Sequence, residues 1–187
     1  MSVCDPGLGG HAARVGAHAE LIARRLGWDD ERVEDLRLGA ALHDVGKVSI
    51  HPEVLQKPGA LDEDEIAHIR AHPVEGAWLI SGVRSLAPAL PYVLFHHERW
   101  DGTGYPTRRS GSEIPIEGRI LAVADAFDAM TSTRHYRSKL NLENAKEQLI
   151  SGSGTQFDKT VVDLFIKAVV DHFQAVMEEF EGSMKPV

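Results

Sequence analysis

Histidines and carboxylates stand on the apolar faces of helical patterns along this chain, and a core accepts such groups only when something binds them. His43-Asp44 closes the helical register Val33, Leu36, Ala40, His43, and Gly46 breaks it with Lys47 just beyond. His11 lies four residues before Val15 and points toward the same interior side. His72, His96-His97 and Asp125 occupy comparable apolar surfaces. A carboxylate buried without a partner is strongly destabilising. A pair of divalent cations would satisfy the whole group at once.

The bulk properties narrow the classes of protein this can be. At 187 residues the chain is long enough for one well-buried core and short for two ordinary domains. No apolar run approaches the ~20 residues of a membrane span. Met1-Ser2-Val3 is followed by no basic start and apolar stretch of a signal peptide, so a cytoplasmic protein without membrane association is expected. The net charge of −8 argues against a duplex nucleic-acid binder and leaves any anionic substrate to local positive charge. Ten histidines against a single cysteine, Cys4, point to metals held through nitrogen and oxygen rather than sulfur.

Helical spacing recurs throughout, and no strand-like alternation persists. Val15, Ala19, Ile22 and Leu26 share a face that ends at Gly27. A second helix follows Asp29-Asp30. Residues 48–60 read as a connecting loop with Pro52 and a Lys57-Pro58-Gly59 turn. Asp62 and Glu65 form a capping box for a helix carrying Ile66 and Ile69. A break at His72-Pro73 precedes another helix over 74–80, and Pro91 suits the first turn of a helix leading into His96-His97. Residues 98–114 are a long irregular stretch of the kind that usually carries function or is disordered. Pro115 opens a helix with Ile120, Ala124 and Phe127, Asn141 caps a short one to Ser151, and a final stripe runs from Val162 to Phe180. The reading is all-α and single-domain, with residues 1–10 a leader, 11–181 the domain and 182–187 a tail.

Each candidate alone is weak. A lone histidine on an apolar face is more often a satisfied core residue than a ligand, and Asp125 can be an ordinary ion-paired carboxylate. His18, His51, His68, His135 and His172 read as surface or structural residues. In combination, though, His43-Asp44 at a helix end followed by Gly46 and Lys47 is a compact chemical unit. Asp44 has two oxygens with which to bridge two cations, and Lys47 stands near enough to neutralise a phosphate oxygen.

The segment His43-Asp44-Val45-Gly46-Lys47 resembles the signature of the HD phosphohydrolase superfamily. HHERWDGTGYP, from His96 to Pro106, is similar to the hallmark of its HD-GYP branch, and AVADAFDAMTSTRHYR, from Ala122 to Arg137, to the segment after that hallmark. KPGAL near Lys57, His72-Pro73 and GTQFD at 154–158 also match, so the resemblance spans nearly the whole chain. It implies a helical bundle with a metal site between helices and a phosphodiesterase acting on the bacterial messenger cyclic di-GMP, yielding linear pGpG or GMP. By the same resemblance, His11, His43, Asp44 and Asp125 hold one metal, and Asp44, His72, His96 and His97 hold the second. Iron or manganese leads for identity, with zinc or nickel as alternatives. The two metals would supply a nucleophilic, metal-bridging hydroxide toward phosphorus, and Asp44 and Lys47 would serve catalysis. The resemblance further implies that Lys47, Tyr105, Arg134 and Arg137 bind substrate and that the GYP loop contacts diguanylate cyclase (GGDEF) domains.

The chain departs from the family pattern at two places. Members with three metals carry a glutamate four residues before the first histidine; Gly7 stands there, so two metals are expected. Thr133 and His135 replace the more usual acidic residue and proline, while Ser132, Arg134, Tyr136 and Arg137 remain. Alternative readings are a phosphohydrolase of another nucleotide or cyclic dinucleotide such as cyclic GMP-AMP, and a catalytically silent signalling module. The last helix either packs within the core or pairs two subunits.

Overall fold

The computed structural model describes the backbone of residues 7–132 and 140–183, and the side chains of residues 10–132 and 140–171. Nine α-helices follow one another among them: α1 (Gly7–Arg25), α2 (Asp30–Leu42), α3 (Pro52–Leu55), α4 (Glu63–Arg70), α5 (His72–Ser81), α6 (Leu90–Phe95), α7 (Ile116–Thr131), α8 (Leu142–Ser151) and α9 (Lys159–Ser183). Short 3-10 turns occupy Val45–Ser49, Arg84–Ala89 and Gly111–Glu113. Among the described residues there is no strand, only an isolated bridge between Ser153 and Phe157. No described helix is long and apolar enough to cross a membrane.

Local chemistry sets most of the helix boundaries. Asp62 accepts from Glu65 N while the Glu65 carboxylate accepts from Asp62 N, both at 2.9 Å, closing the capping box of α4. Asn141 caps α8 through Asn144 N, Pro91 sits in the first turn of α6, and Pro115 precedes α7. Gly27 turns the chain out of α1 at φ +76°, and Trp28 N donates to Ala23 O at 3.1 Å. Three sequence expectations are corrected here. Leu26 falls beyond the last turn of α1 and is left exposed, while Trp28 is buried. Residues 48–60 are not one loop, because the 3-10 turn runs to Ser49 and Pro52 starts α3. The break expected at His72-Pro73 falls at Ala71, so His72 is the first residue of α5.

The main core joins α1, α2, α7, α8 and α9 around Ile22, Leu36, Ile120, Leu121, Leu149 and Phe165. Tyr92 of α6 enters the same cluster. Full burial of each such side chain contributes roughly 1.5–3 kcal/mol. A smaller cluster of Ile80, Ala89 and Val93 holds α5 and α6 together, with Val45 packed against it.

Gly46 fixes how closely the 45–49 turn approaches α5. A Cβ there would lie 2.0 Å from His72 O and 2.5 Å from Gly76 N, while one on Gly76 would lie 3.1 Å from Gly46 N. Backbone therefore packs directly on backbone, and Asp44 is brought beside His72. Gly46→Ala is expected to cost about 1–3 kcal/mol through this overlap and to lower Tm by several degrees. Gly82→Ala is the control: no atom lies within 4 Å of its added Cβ and its φ is −77°. Thermal unfolding of both variants checks the contrast, and equal Tm values would refute it.

Candidate metal centre

The helix ends that carry the histidines also set their protonation. Carbonyls in the last turn of a helix have no partner further along it. His43 Nδ1 lies 2.7 Å from Ala40 O, and His96 Nδ1 lies 2.9 Å from Val93 O and 3.1 Å from Tyr92 O. His72 Nδ1 lies 2.7 Å from Ile69 O at the end of α4. A carbonyl only accepts, so each Nδ1 carries the proton and donates. In the neutral ring Nε2 is then a bare lone pair. His11 follows the same scheme with a carboxylate in place of the carbonyl, its Nδ1 standing 2.7 Å from Asp128 Oδ2.

These bare nitrogens converge on carboxylate oxygens. Asp44 Oδ1 is 3.4 Å from His72 Nε2 and 3.9 Å from His96 Nε2, and Asp44 Oδ2 is 3.4 Å from His43 Nε2. His11 Nε2 is 3.3 Å from Asp125 Oδ1. His72 Nε2 and His96 Nε2 face each other at 3.2 Å with no proton between them in this tautomer. His43 Nε2 is buried with no hydrogen-bond partner among the described residues. Lone pairs aimed at one another and at anions repel, and a cation between them turns that repulsion into coordination. The donor atoms fall into two groups, each within 4.8 Å: His11, His43 and Asp125, and Asp44, His72, His96 and His97. Imidazole nitrogen with carboxylate oxygen suits first-row divalent metals, so these residues fit such an ion.

Electrostatics keep the donors in the form that binds metal. Burial pushes the pKa of His72 below the usual histidine value, that of His96 well below it, and that of His97 down to about 3. All three stay neutral at neutral pH. Burial pushes the Asp44 carboxyl up, but the electrostatic influence of the neighbouring His43, Lys47 and His96 side chains, with the Lys47 hydrogen bond, outweighs it and holds the group below the usual carboxylate range. Lys47 Nζ pairs with Asp44 Oδ2 at 2.5 Å.

All seven sequence-picked donors are therefore brought together, with Lys47 beside them. Tyr105 joins at the rim: its ring stacks on His97 at 4.8 Å, and its N–H donates to His97 O at 3.2 Å. Arg134 and Arg137 lie outside the described residues, as do Thr133, His135 and Tyr136. His51 and His68 stack on each other at 5.3 Å outside both donor groups, and His18 lies edge-on to Phe127 at 4.9 Å. The side chain of His172 is outside the described residues.

Two buried acids, Asp128 and Glu98, lie close to the candidate donors and were not picked out as site residues by sequence reasoning. Asp128 is 1% exposed and binds His11 Nδ1, Arg14 at 2.6 and 3.1 Å, and Ser132 Oγ at 3.0 Å. Burial pushes its carboxyl up, yet these hydrogen bonds hold it below the usual range. Its signal was the Asp125-x-x-Asp128 spacing, which puts both carboxylates on the α7 surface facing His11. Glu98 accepts from Thr107 N at 2.6 Å and Thr107 Oγ1 at 2.7 Å, tying the end of the Gly-rich loop to the residue after His97.

The family described as HD domain matches residues 2–161. The chain belongs to the HD domain family. It is 42% identical over 158 residues to a cyclic di-GMP phosphodiesterase of Vibrio cholerae, a match covering 81% of this chain and 32% of that protein. It is 40% identical over 165 residues to the cyclic di-GMP phosphodiesterase response regulator RpfG of Xanthomonas campestris pv. campestris, covering 87% of this chain and 44% of that one. The chain thus spans less than half the length of these curated relatives. Its fold is that of a solved HDG"Y"P protein from Bdellovibrio bacteriovorus, with TM-score 0.70 at 20% identity over 90% of this chain and 54% of that one.

In this HD domain, Asp128 fixes the orientation of the His11 ring and holds its proton on Nδ1, leaving Nε2 free to face Asp125. Asp128→Asn is expected to weaken metal retention about 10–100-fold. Competition with a chelator, read by elemental analysis, measures the change. An unaltered metal affinity would remove Asp128 from this role.

Proposed function

We propose that this domain, residues 11–181, is a two-metal phosphodiesterase acting in the cytoplasm on cyclic di-GMP. The observation that carries the reading is the set of proton-free Nε2 atoms aimed at Asp44, with His43 Nε2 left without a partner. His11, His43, Asp44 and Asp125 would hold one cation, and Asp44, His72, His96 and His97 the other. Iron or manganese suits this nitrogen and oxygen set. When bound, paired divalent cations supply Lewis acidity toward a phosphodiester and lower the pKa of water enough to make it a nucleophile at neutral pH.

The chain's own residues account for the remainder. Asp44 presents its two oxygens to different histidines, Oδ2 to His43 and Oδ1 to His72 and His96, as a bridging carboxylate must. Lys47 holds an ammonium against Asp44 and supplies positive charge to the phosphate, which gains negative charge in the transition state. Tyr105, fixed on His97, forms an aromatic wall where the substrate's nucleoside portion meets the centre. Arg134 and Arg137 are the further phosphate contacts that the sequence resemblance implies. The two relatives named above, both cyclic di-GMP phosphodiesterases at 40–42% identity, support the choice of cyclic di-GMP, ahead of the 3'3'-cGAMP-specific phosphodiesterases that the chain also resembles at 30–37%.

Anaerobically purified protein should contain about two divalent ions per chain. It should convert cyclic di-GMP to pGpG or GMP faster than cyclic GMP-AMP or ordinary mononucleotides. Asp44→Ala should lose the bridge, bind fewer metal ions and reduce turnover by at least about a thousandfold while keeping its helical circular dichroism. Wild-type turnover and metal content in that variant would defeat the mechanism, and a metal-loaded protein inert toward cyclic di-GMP would defeat the substrate.

A further inference from the structure

A cleft of about 890 Å³ opens between α4 and the Gly-rich loop, within the size range of ligand sites. Ile66 and Arg70 stand on the α4 wall; Gly104, Tyr105 and Arg108 stand on the loop wall. Tyr105 belongs to both the cleft and the metal centre, because its ring also stacks on His97. The loop wall is held rigidly. A Cβ on Gly104 would lie 2.4 Å from Arg99 N and 2.6 Å from Glu98 Cα, so the loop backbone packs on the segment that carries the ligands. Glu98 pins Thr107 on the other side of the Tyr105-Pro106 pair. Such a wall is organised before any ligand arrives.

The charges in the cleft stand out in a chain of net charge −8. Arg14, Arg32, Arg99 and Arg119 are each engaged by a carboxylate. Among the described residues, Arg70 and Arg108 have no carboxylate within ion-pair distance, as is also true of Arg84 and Arg109 outside the cleft, and Glu63 is the one acid in the cleft lining. The Arg70 guanidinium instead stands 5.4 Å from the centre of the Tyr105 ring. Arg108 adopts φ +56°, a backbone state a non-glycine residue rarely takes, on the opposite wall. A guanidinium fork without a carboxylate partner, beside an aromatic face and next to the proposed phosphodiesterase centre, is what recognition of a nucleobase needs. The fork presents only donors. It therefore matches the two acceptors on the outer edge of guanine, O6 and N7, and mismatches the N6 amino group of adenine.

We propose that this cleft is a guanine subsite, in which Arg70 reads the base edge and Tyr105 provides the stacking surface. The inference rests on the cyclic di-GMP reading, and it names the residue that sets base preference within it. Arg108 assists by charge on the far wall.

Equilibrium binding separates this subsite from the hydrolytic reading. Calorimetric titration of the metal-loaded protein with 5′-GMP and 5′-AMP should show GMP bound at least about tenfold more tightly. Arg70→Ala should bring the two affinities within about twofold of each other. Arg70→Lys keeps the charge but not the fork, and should also lose the preference. Arg84→Ala, outside the cleft lining, should keep it. No preference in the wild type, or a preference that survives both Arg70 substitutions, overturns the proposal. A protein that shows the Arg70-dependent preference but hydrolyses no cyclic dinucleotide retains the subsite and loses only the proposed reaction.

Discussion

The geometry of the centre depends on a modest interaction, the hydrogen bond from a histidine Nδ1–H to a carbonyl at the end of a helix. It occurs at Ala40 O for His43, at Val93 and Tyr92 O for His96, and at Ile69 O for His72. Each bond engages a carbonyl of the last helical turn, fixes the tautomer and aims Nε2 away from its own helix. The consequence is electrostatic. Three lone pairs face the Asp44 carboxylate within 3.9 Å, an arrangement that is unfavourable without positive charge. Lys47 supplies part of that charge from one side, but it contacts only Oδ2 and leaves His43 Nε2 unpaired.

Backbone proximity converts these local preferences into one site. Asp44 and His72 come from segments separated by the turn at 45–49, α3 and α4, and the missing side chain at Gly46 lets the turn rest on the first turn of α5. Tyr92 anchors α6 in the main core and its ring covers Gly39 of α2, where a Cβ would lie 2.3 Å away. That contact sets the helix bearing His43 against the one leading to His96. The core and the centre are therefore not independent: glycines that permit close helix contact determine the distances between donors.

Much of this was legible in the sequence, for a physical reason. Polar residues at His11, His43, Asp44, His72, His96, His97 and Asp125 violated the apolar periodicity that the remaining residues obey, and violations of that kind mark sites. Caps were equally readable at Asp62, Asn141 and Pro115, because their chemistry is local. What escaped was set by tertiary contact. Asp128 is one more acid on a helix until α1 brings His11 and Arg14 against it. Glu98 follows the histidine pair as an ordinary charge until the loop folds Thr107 onto it. Leu26 obeyed the periodicity but lay past the helix end, so register alone placed it wrongly. Arg70 carried no sequence signal at all, since its meaning comes from the loop across the cleft.

His97 links these levels. Its ring lies 4.1 Å from His96 and 5.0 Å from His72 on the side of the donors, and 4.8 Å from Tyr105 on the side of the loop. Its carbonyl accepts the Tyr105 N–H, so the side chain and the backbone of one residue hold the centre and the loop together. A loop tethered only by its ends would place an aromatic wall loosely and lose orientation to entropy. Here Gly104 presses the loop onto Glu98 and Arg99, and Thr107 is bound to Glu98, so the loop's freedom is removed in the folded chain rather than at the moment of binding. The glycines of the loop thus act less as sources of flexibility than as places where backbone can touch backbone. This is why a segment rich in glycine can form the rigid side of a cleft.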